Sequence, residues 1–218
     1  MPGGAPDLRL YLVTDLTLGD DRRLHQIRSA VLGGVTLVQL RCKGRPTAEL
    51  AAAATRLREV LDPLQVALLV NDDVEAAQLA GAAGVHLGQS DLPAGLARAR
   101  LGPAAILGLS IEELSQVDHP NVAQVDYLAA SPVHATRTKP DIAPPLGLDG
   151  VRQLRARTPA PLVGIGGITA ANAAAVIKAG ADGVAVVSAI LDAPDSAAAA
   201  RRLRRAVDAA LSARARPP

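Results

Sequence analysis

Apolar residues along this chain gather in short β-branched or leucine-rich runs, and each run is followed by a stretch in which apolar positions recur every three or four residues. The short runs predict strands at Leu8–Thr14, Thr36–Leu40, Ala67–Asn71, Gly84–Leu87, Ile106–Leu109, Tyr127–Ala130, Leu162–Ile165 and Gly183–Val187. The helical periodicity predicts helices at Arg22–Leu32, Ala48–Leu61, Val74–Ala82, Ala94–Ala99, Glu112–Gln116, Leu148–Arg157, Ala170–Ala179 and Ser196–Leu211. Uninterrupted alternation of this kind implies an α/β fold, with a parallel sheet and helices outside it.

Two closures of such a sheet are open to the chain, a doubly wound sheet and a (β/α)8 barrel. Eight units with no reversal signal, and no dinucleotide fingerprint at the first turn, favour a compact (β/α)8 TIM barrel. The GxG at Gly164–Gly166 belongs to the seventh strand and lacks the GxGxxG spacing. One domain is expected over residues 1–218, with about 1–7 and 213–218 as flexible termini. Thr47, Asp73, Asp149, Thr169 and Asp195 stand where they can cap or charge helix N-termini, and Gly33-Gly34, Gly81 and Gly180 stand where helices end.

Composition narrows the function classes. The apolar fraction is 49%, built from Ala, Val, Leu and Ile, with two Tyr and neither Phe nor Trp. Stacking platforms for single-stranded nucleic acid need rings that this chain lacks. The net charge is +2, and Arg201, Arg202, Arg204 and Arg205 read as a solvated helix face. The single Cys42 excludes an internal disulfide and a cysteine-based zinc site, and fits a reducing compartment. No 18-residue apolar run and no N-terminal apolar core of a signal peptide are present. A soluble cytoplasmic protein without nucleic-acid or membrane partners is expected.

Barrel enzymes build their sites from the C-terminal ends of the strands. Here those ends read Gln39-Leu40-Arg41-Cys42-Lys43, Asn71-Asp72-Asp73, His86 to Asp91, Ser110, Ser131 to Lys139, Gly166-Gly167 and Val187-Ser188. Nearly every unit brings a polar residue or a glycine to one rim, and the groups form three sets. Asp72 and Asp91 come from neighbouring strands and repel each other unless a cation sits between them; in an oxygen-rich site that cation is Mg²⁺. Asp73 is the better cap, which leaves Asp72 to point inward. Arg41, Lys43, Arg137 and Lys139, with Gln39, Asn71 and Ser110 as neutral donors, describe a diphosphate clamp. Gly166-Gly167 and Val187-Ser188 follow strands seven and eight, a frequent monophosphate site.

Between these sites runs Thr136-Arg137-Thr138-Lys139, whose hydroxyls, cations and amides suit phosphate oxygens. A transferase joining a diphosphate-activated group to a phosphorylated acceptor needs this layout. His86 reads as a strand residue with a structural role, His134 as a loop residue within reach of a ligand, and His25 and His119 as surface. Cys42 reads as an inert thiol, and no Ser–His–Asp arrangement is recognisable.

At these residues the chain resembles the thiamine phosphate synthase family over nearly its whole length. The resemblance rests on Leu12-Val13-Thr14-Asp15, Gly34 to Arg41, Val70-Asn71-Asp72-Asp73, Gly84 to Asp91, Thr136 to Pro140 and Gly164-Ile165-Gly166-Gly167-Ile168, in order and spacing. It implies a (β/α)8 enzyme joining 4-amino-2-methyl-5-hydroxymethylpyrimidine diphosphate to a thiazole phosphate, with or without a carboxylate on the thiazole. It further implies that Gln39, Leu40, Arg41, Cys42, Lys43, Asn71, Ser110 and Lys139 contact the pyrimidine diphosphate. Thr136, Arg137, Thr138, Gly167, Val187 and Ser188 would hold the thiazole phosphate, and Asp72 and Asp91 one Mg²⁺ per subunit. Lys139, Lys43 and Ser110 are the expected catalytic residues.

The chain departs from the family pattern at Cys42, where an acidic residue is usual, at Gly44, where Asp is common, and at Ser131 and His134. Two rival readings remain, a thiazole tautomerase-like isomerase and a non-catalytic phosphate-ligand binder. The isomerase would carry a catalytic His where this chain has Pro132, with His134 two residues away. Oligomeric state is left open, a homo-oligomer included.

Overall fold

The computed structural model describes residues 6–17, 19–136 and 143–215. Eight parallel strands close into one barrel in chain order: β1 (Leu10–Thr14), β2 (Leu37–Leu40), β3 (Ala67–Asn71), β4 (Gly84–Leu87), β5 (Ile106–Ile111), β6 (Tyr127–Ala130), β7 (Leu162–Ile165) and β8 (Gly183–Val186). The seam closes where Leu10 of β1 pairs with Val184 of β8. The helices are α1 (Asp21–Leu32), α2 (Thr47–Leu61), α3 (Val74–Ala80), α4 (Ala94–Leu101), α5 (Gly147–Arg157), α6 (Ala173–Lys178), α7 (Ser188–Leu191) and α8 (Ser196–Arg214). The expected (β/α)8 barrel is the observed fold.

Strand alternation sorts the core into two shells. Tyr11, Val13, Leu37, Leu69, Tyr127, Ala129, Val163 and Ala185 fill the barrel interior. Leu10, Leu12, Val38, Leu40 and Val70 face outward under the alanine- and leucine-rich helix faces. Both aromatic rings of the chain therefore sit in the lumen. The outer shell gains its stability from many aliphatic contacts, each buried Leu contributing about 1.5–3 kcal/mol.

At the N-terminal end of the barrel, two aspartates do the same work on different strands. Asp126 precedes β6 and accepts from Leu107 N–H at 2.7 Å and from Arg98 at 2.9 Å. Asp182 precedes β8 and accepts from Leu162 N–H at 2.9 Å, from Arg155 at 3.2 Å and from Arg214 at 2.7 Å. Each ties an amide at the start of the preceding strand to helix arginines, Asp126 to one and Asp182 to two. The last helix runs on to Arg214 for this reason, past the Leu211 expected from periodicity.

The fifth unit differs from expectation. In place of a helix over Glu112–Gln116 the chain makes two 3-10 turns, Leu114–Asp118 and Pro120–Gln124. Glu113 and Gln116 close a reciprocal cap, and Pro120 has no N–H to continue a helix. α6 starts at Ala173, later than expected, because Asn172 binds Thr169 N–H at 2.8 Å and Gly167 C=O at 2.9 Å and so shapes the entering loop. The short α7 was not expected at all.

Asp73 and Asp195 cap their helices, Asp195 accepting from Ala198 N–H at 2.9 Å. Thr47 instead sits inside α2 and donates to Asp73 at 2.8 Å. Asp195→Ala is expected to destabilise the protein by about 1 kcal/mol, read as a lowered urea midpoint with unchanged slope; an unmoved midpoint would contradict the capping role.

Candidate active site

A cavity of about 750 Å³ opens at the C-terminal end of the barrel, within the size range of small-molecule sites. Its floor is the inner shell, with Tyr11, Val13, Ala129, Val163 and Ala185 among its lining. Its rim is polar, and the reason is positional. The last inward residue of each strand and the loop beyond it have no further layer of core to pack against.

On one side of the rim β2 supplies Gln39 and the segment directly after it Arg41 and Lys43, alternate residues that all line the cavity. Leu40 and Cys42 fall on the other face. Leu40 is fully buried in the outer shell, and Cys42 accepts from Leu16 N–H at 3.3 Å, so neither lines the cavity. The resemblance assigns all of Gln39 to Lys43 to the substrate; of these five, Gln39, Arg41 and Lys43 line the cavity. Burial pushes the Cys42 thiol up, as fits an inert one.

Asn71, Asp72, Asp91 and Ser110 line the same side. Asp72 has φ 64, a left-handed conformation that few residues with a Cβ adopt and that Asp tolerates better than most. This turn separates two consecutive carboxylates. Asp73 caps α3 through Ala76 N–H at 2.8 Å, while Asp72 reaches the rim and pairs with Lys43 Nζ at 3.0 Å. Asp91 is oriented by Gly88 N–H at 2.7 Å and shares a hydrogen bond with Asp72.

Burial, and then the neighbouring Asp91, push Asp72 up to about 6, against the pull of Lys43. Asp91 is held below the usual carboxylate range: burial acts upward, but the Asp72 and Gly88 hydrogen bonds outweigh it. Two carboxylates in contact need a proton or a cation between them. With oxygen ligands from substrate or water they suit a hard divalent cation. Among the described residues no cluster of three or more His, Cys, Asp or Glu forms, so such an ion would depend on non-protein ligands.

The opposite side is built from backbone. Gly166 and Gly167 have φ 99 and 60, and a Cβ on Gly166 would lie 2.6 Å from Pro132 Cβ. Glycine lets the loop after β6 press against them: Val133 N–H donates to Ile165 C=O at 2.7 Å and His134 N–H to Gly166 C=O at 3.1 Å. This contact carries Thr136 to the rim beside Gly167, Val187 and Ser188, all four lining the cavity. A second hollow of about 650 Å³ shares Arg41, Thr136, Gly167, Val187 and Ser188, and adds Asp15 and Arg23. His134 lines neither hollow. Arg137, Thr138 and Lys139 lie outside the described residues.

Several lining residues carry no sequence signal of their own. Tyr11 and His86 are strand residues that periodicity assigns only to a core; Gln89 and Glu112 are rim residues among many. His86 is buried, yet it reaches the cavity and places Nε2 2.9 Å from Ser110 Oγ. A Ser–His pair is thus present where none was recognisable from spacing.

Residues 10–190 match the family model described as thiamine monophosphate synthase. The chain is 49% identical over 203 residues to the thiamine-phosphate synthase of Albidiferax ferrireducens, covering 93% of each. It is 45% identical over 203 residues to that of Moorella thermoacetica, covering 93% of this chain and 97% of the relative. Among solved structures, the thiamine phosphate pyrophosphorylase from Pyrococcus furiosus aligns with a TM-score of 0.83 at 34% identity, covering 95% of this chain and 98% of that one. A structure described as native KDPGal aligns with a TM-score of 0.74 at 15% identity and shares the fold alone.

Proposed function

The chain belongs to the thiamine monophosphate synthase family and is a transferase of that family; from that premise we propose that it joins 4-amino-2-methyl-5-hydroxymethylpyrimidine diphosphate to a thiazole phosphate, releasing diphosphate. The observation that carries this reading is one cavity with two unlike anion-accepting sides. Lys43, Asn71, Ser110 and the Asp72–Asp91 pair stand on one side. The Gly166-Gly167 backbone, Thr136 and Ser188 stand on the other. A diphosphate fits the first side and a monophosphate the second, and an apolar floor between them suits two flat heterocycles.

The two carboxylates are chemically suited to one Mg²⁺ per subunit, which when bound would neutralise charge on the departing diphosphate. The residues of the chain then have separate tasks. Lys43 donates to diphosphate oxygens, and its reach to Asp72 keeps it aimed at the rim. Asn71 and Ser110 supply neutral donors to the same group. Lys139, outside the described residues, is assigned by resemblance to this group as well, and Arg137 and Thr138 to the thiazole phosphate. The aminopyrimidine pushes electrons toward its 5-methylene carbon, so the carbon–oxygen bond to the diphosphate breaks first. The thiazole nitrogen then forms the new carbon–nitrogen bond. No protein nucleophile takes part.

Incubating the purified protein with both substrates and Mg²⁺ should yield thiamine phosphate and diphosphate in equal amounts. Failure of folded protein to form either, with the thiazole offered in carboxylated and decarboxylated form, would refute the reading. No helix among the described residues is long and apolar enough to cross a membrane, and both substrates are small phosphorylated molecules. We place the reaction in the cytoplasm on the strength of that chemistry and the single thiol. No observation favours the isomerase, since Pro132 has no titratable group and His134 lies outside the cavity lining.

A further inference from the structure

The two aromatic rings of the chain meet inside the barrel, and a continuous run of hydrogen bonds passes through them. Gln39 Nε2 donates to the Tyr11 hydroxyl. The Tyr11 and Tyr127 hydroxyls are 3.0 Å apart, and Tyr127 lies 2.8 Å from His86 Nδ1. His86 Nε2 lies 2.9 Å from Ser110 Oγ at the cavity. The five residues come from five different strands: β2, β1, β6, β4 and β5. The first four are buried.

The space for this run is specifically provided. A Cβ on Gly108 of β5 would lie 2.2 Å from Tyr127 Cζ and 2.5 Å from His86 Nδ1. The strand is bare where the two rings meet, and the rings stack there with centroids 5.6 Å apart at 29°. Apolar packing alone does not align four successive polar contacts.

Each hydroxyl carries one proton, so a donor at one end sets the direction of every later bond. The Gln39 amide nitrogen has no lone pair to offer and donates to Tyr11. The Tyr11 proton then goes to Tyr127, and the Tyr127 proton to His86 Nδ1. That nitrogen must be bare. The neutral ring therefore carries its proton on Nε2 and donates to Ser110 Oγ, leaving the Ser110 proton free to turn into the cavity. Burial pushes both phenols above their ordinary range, so they keep their protons.

We infer that Tyr127 and His86 are positioning residues, which hold Ser110 as a hydrogen-bond donor toward an anionic group in the cavity. Only the identity of that anion, the leaving diphosphate, rests on the proposed reaction. The Ser110–His86 distance is also that of a nucleophile and its base. The direction of the chain forbids that role, because a ring protonated at Nε2 cannot accept the Ser110 proton. With the opposite direction, Ser110 would present lone pairs to an anion.

The tautomer can be read without any assay. A long-range ¹H–¹⁵N spectrum of the full chain with ¹⁵N-labelled histidine, assigned by loss of one ring in His86→Gln, should show His86 protonated at Nε2 and bare at Nδ1. The Nδ1–H tautomer would overturn the inference. Tyr127→Phe should release the ring to a mixture of tautomers. It should also lower kcat about tenfold with KM much less affected, a part of the 10²–10³ typically lost when such a donor is removed outright. Ser110→Ala should lower kcat at least as far, and adding Tyr127→Phe to it should cost nothing more. An equal further loss in the double variant would overturn the positioning role. If Tyr127→Phe does not fold, Tyr11→Phe breaks the chain one link earlier, and the wild-type spectrum alone still decides the tautomer. An inactive wild type with the expected tautomer would sink the proposed reaction and leave the hydrogen-bond direction standing.

Discussion

Asp72→Ala is expected to lower turnover about 10²–10³-fold even at saturating Mg²⁺, a loss of roughly 3–4 kcal/mol of transition-state stabilisation. Asp72 is the residue on which three features of the rim depend. It pairs with Lys43 at 3.0 Å, shares a hydrogen bond with Asp91, and turns through a left-handed backbone to reach both. Without it Asp91 has one partner fewer, and Lys43 has lost the carboxylate that aims it. Asp72→Asn isolates the charge, because Asn keeps the shape and tolerates the same backbone. It should fall about as far as the alanine variant. Steady-state kinetics at several Mg²⁺ concentrations decides the matter, and near-wild-type kcat in the Asn variant would refute the assigned role.

The neighbouring Asp73 supplies the contrast. Its carboxylate caps α3 and accepts from Thr47, so Asp73→Ala should cost about 1 kcal/mol of stability with turnover largely kept. On the proposed reaction, two consecutive aspartates thus separate, Asp72 toward the chemistry and Asp73 toward the fold.

Gly183→Ala should give the largest loss of stability, about 3 kcal/mol, at the upper end of what overpacking a core costs. A Cβ there would lie 1.7 Å from Leu8 C=O oxygen and 2.3 Å from its carbon. These are backbone atoms just before β1, and they cannot rotate away as a side-chain tip does. The change falls beside the seam where β8 closes on β1. The same substitution at Gly95 in α4, where the nearest atom is 4.0 Å away, should instead stabilise by about 0.5–1 kcal/mol. Urea unfolding of the two variants tests both signs. A Gly183→Ala midpoint close to that of the wild type would show that the seam can open without cost.

Much of the fold is legible along the chain because its signals are local. Strand β3 runs over Ala67–Asn71 and β4 over Gly84–Leu87, as their apolar runs predict. The exceptions have local causes of a different kind. Pro120 and the Glu113–Gln116 cap replace the fifth helix by 3-10 turns, and the Asn172 side chain delays α6. The rim was also legible, because a barrel places every strand's C-terminal end on one side. Given that topology, Lys43, Asn71, Asp72, Asp91, Ser110 and Ser188 share a cavity by necessity of position.

Local patterning along the chain is therefore enough for the order of strands and helices, the barrel they close into, and the rim to which its polar residues belong. Which residues of that rim face the cavity was decided by strand alternation in three dimensions, which sends Gln39 and Arg41 in and Leu40 out. Only in the closed barrel do Tyr11 and Tyr127, 116 residues apart, share a hydrogen bond, with His86 linking them to Ser110. Periodicity assigns a face to each strand but says nothing about which polar atoms meet across the lumen. That meeting depends on the relative register of all eight strands, which exists only once the barrel has closed.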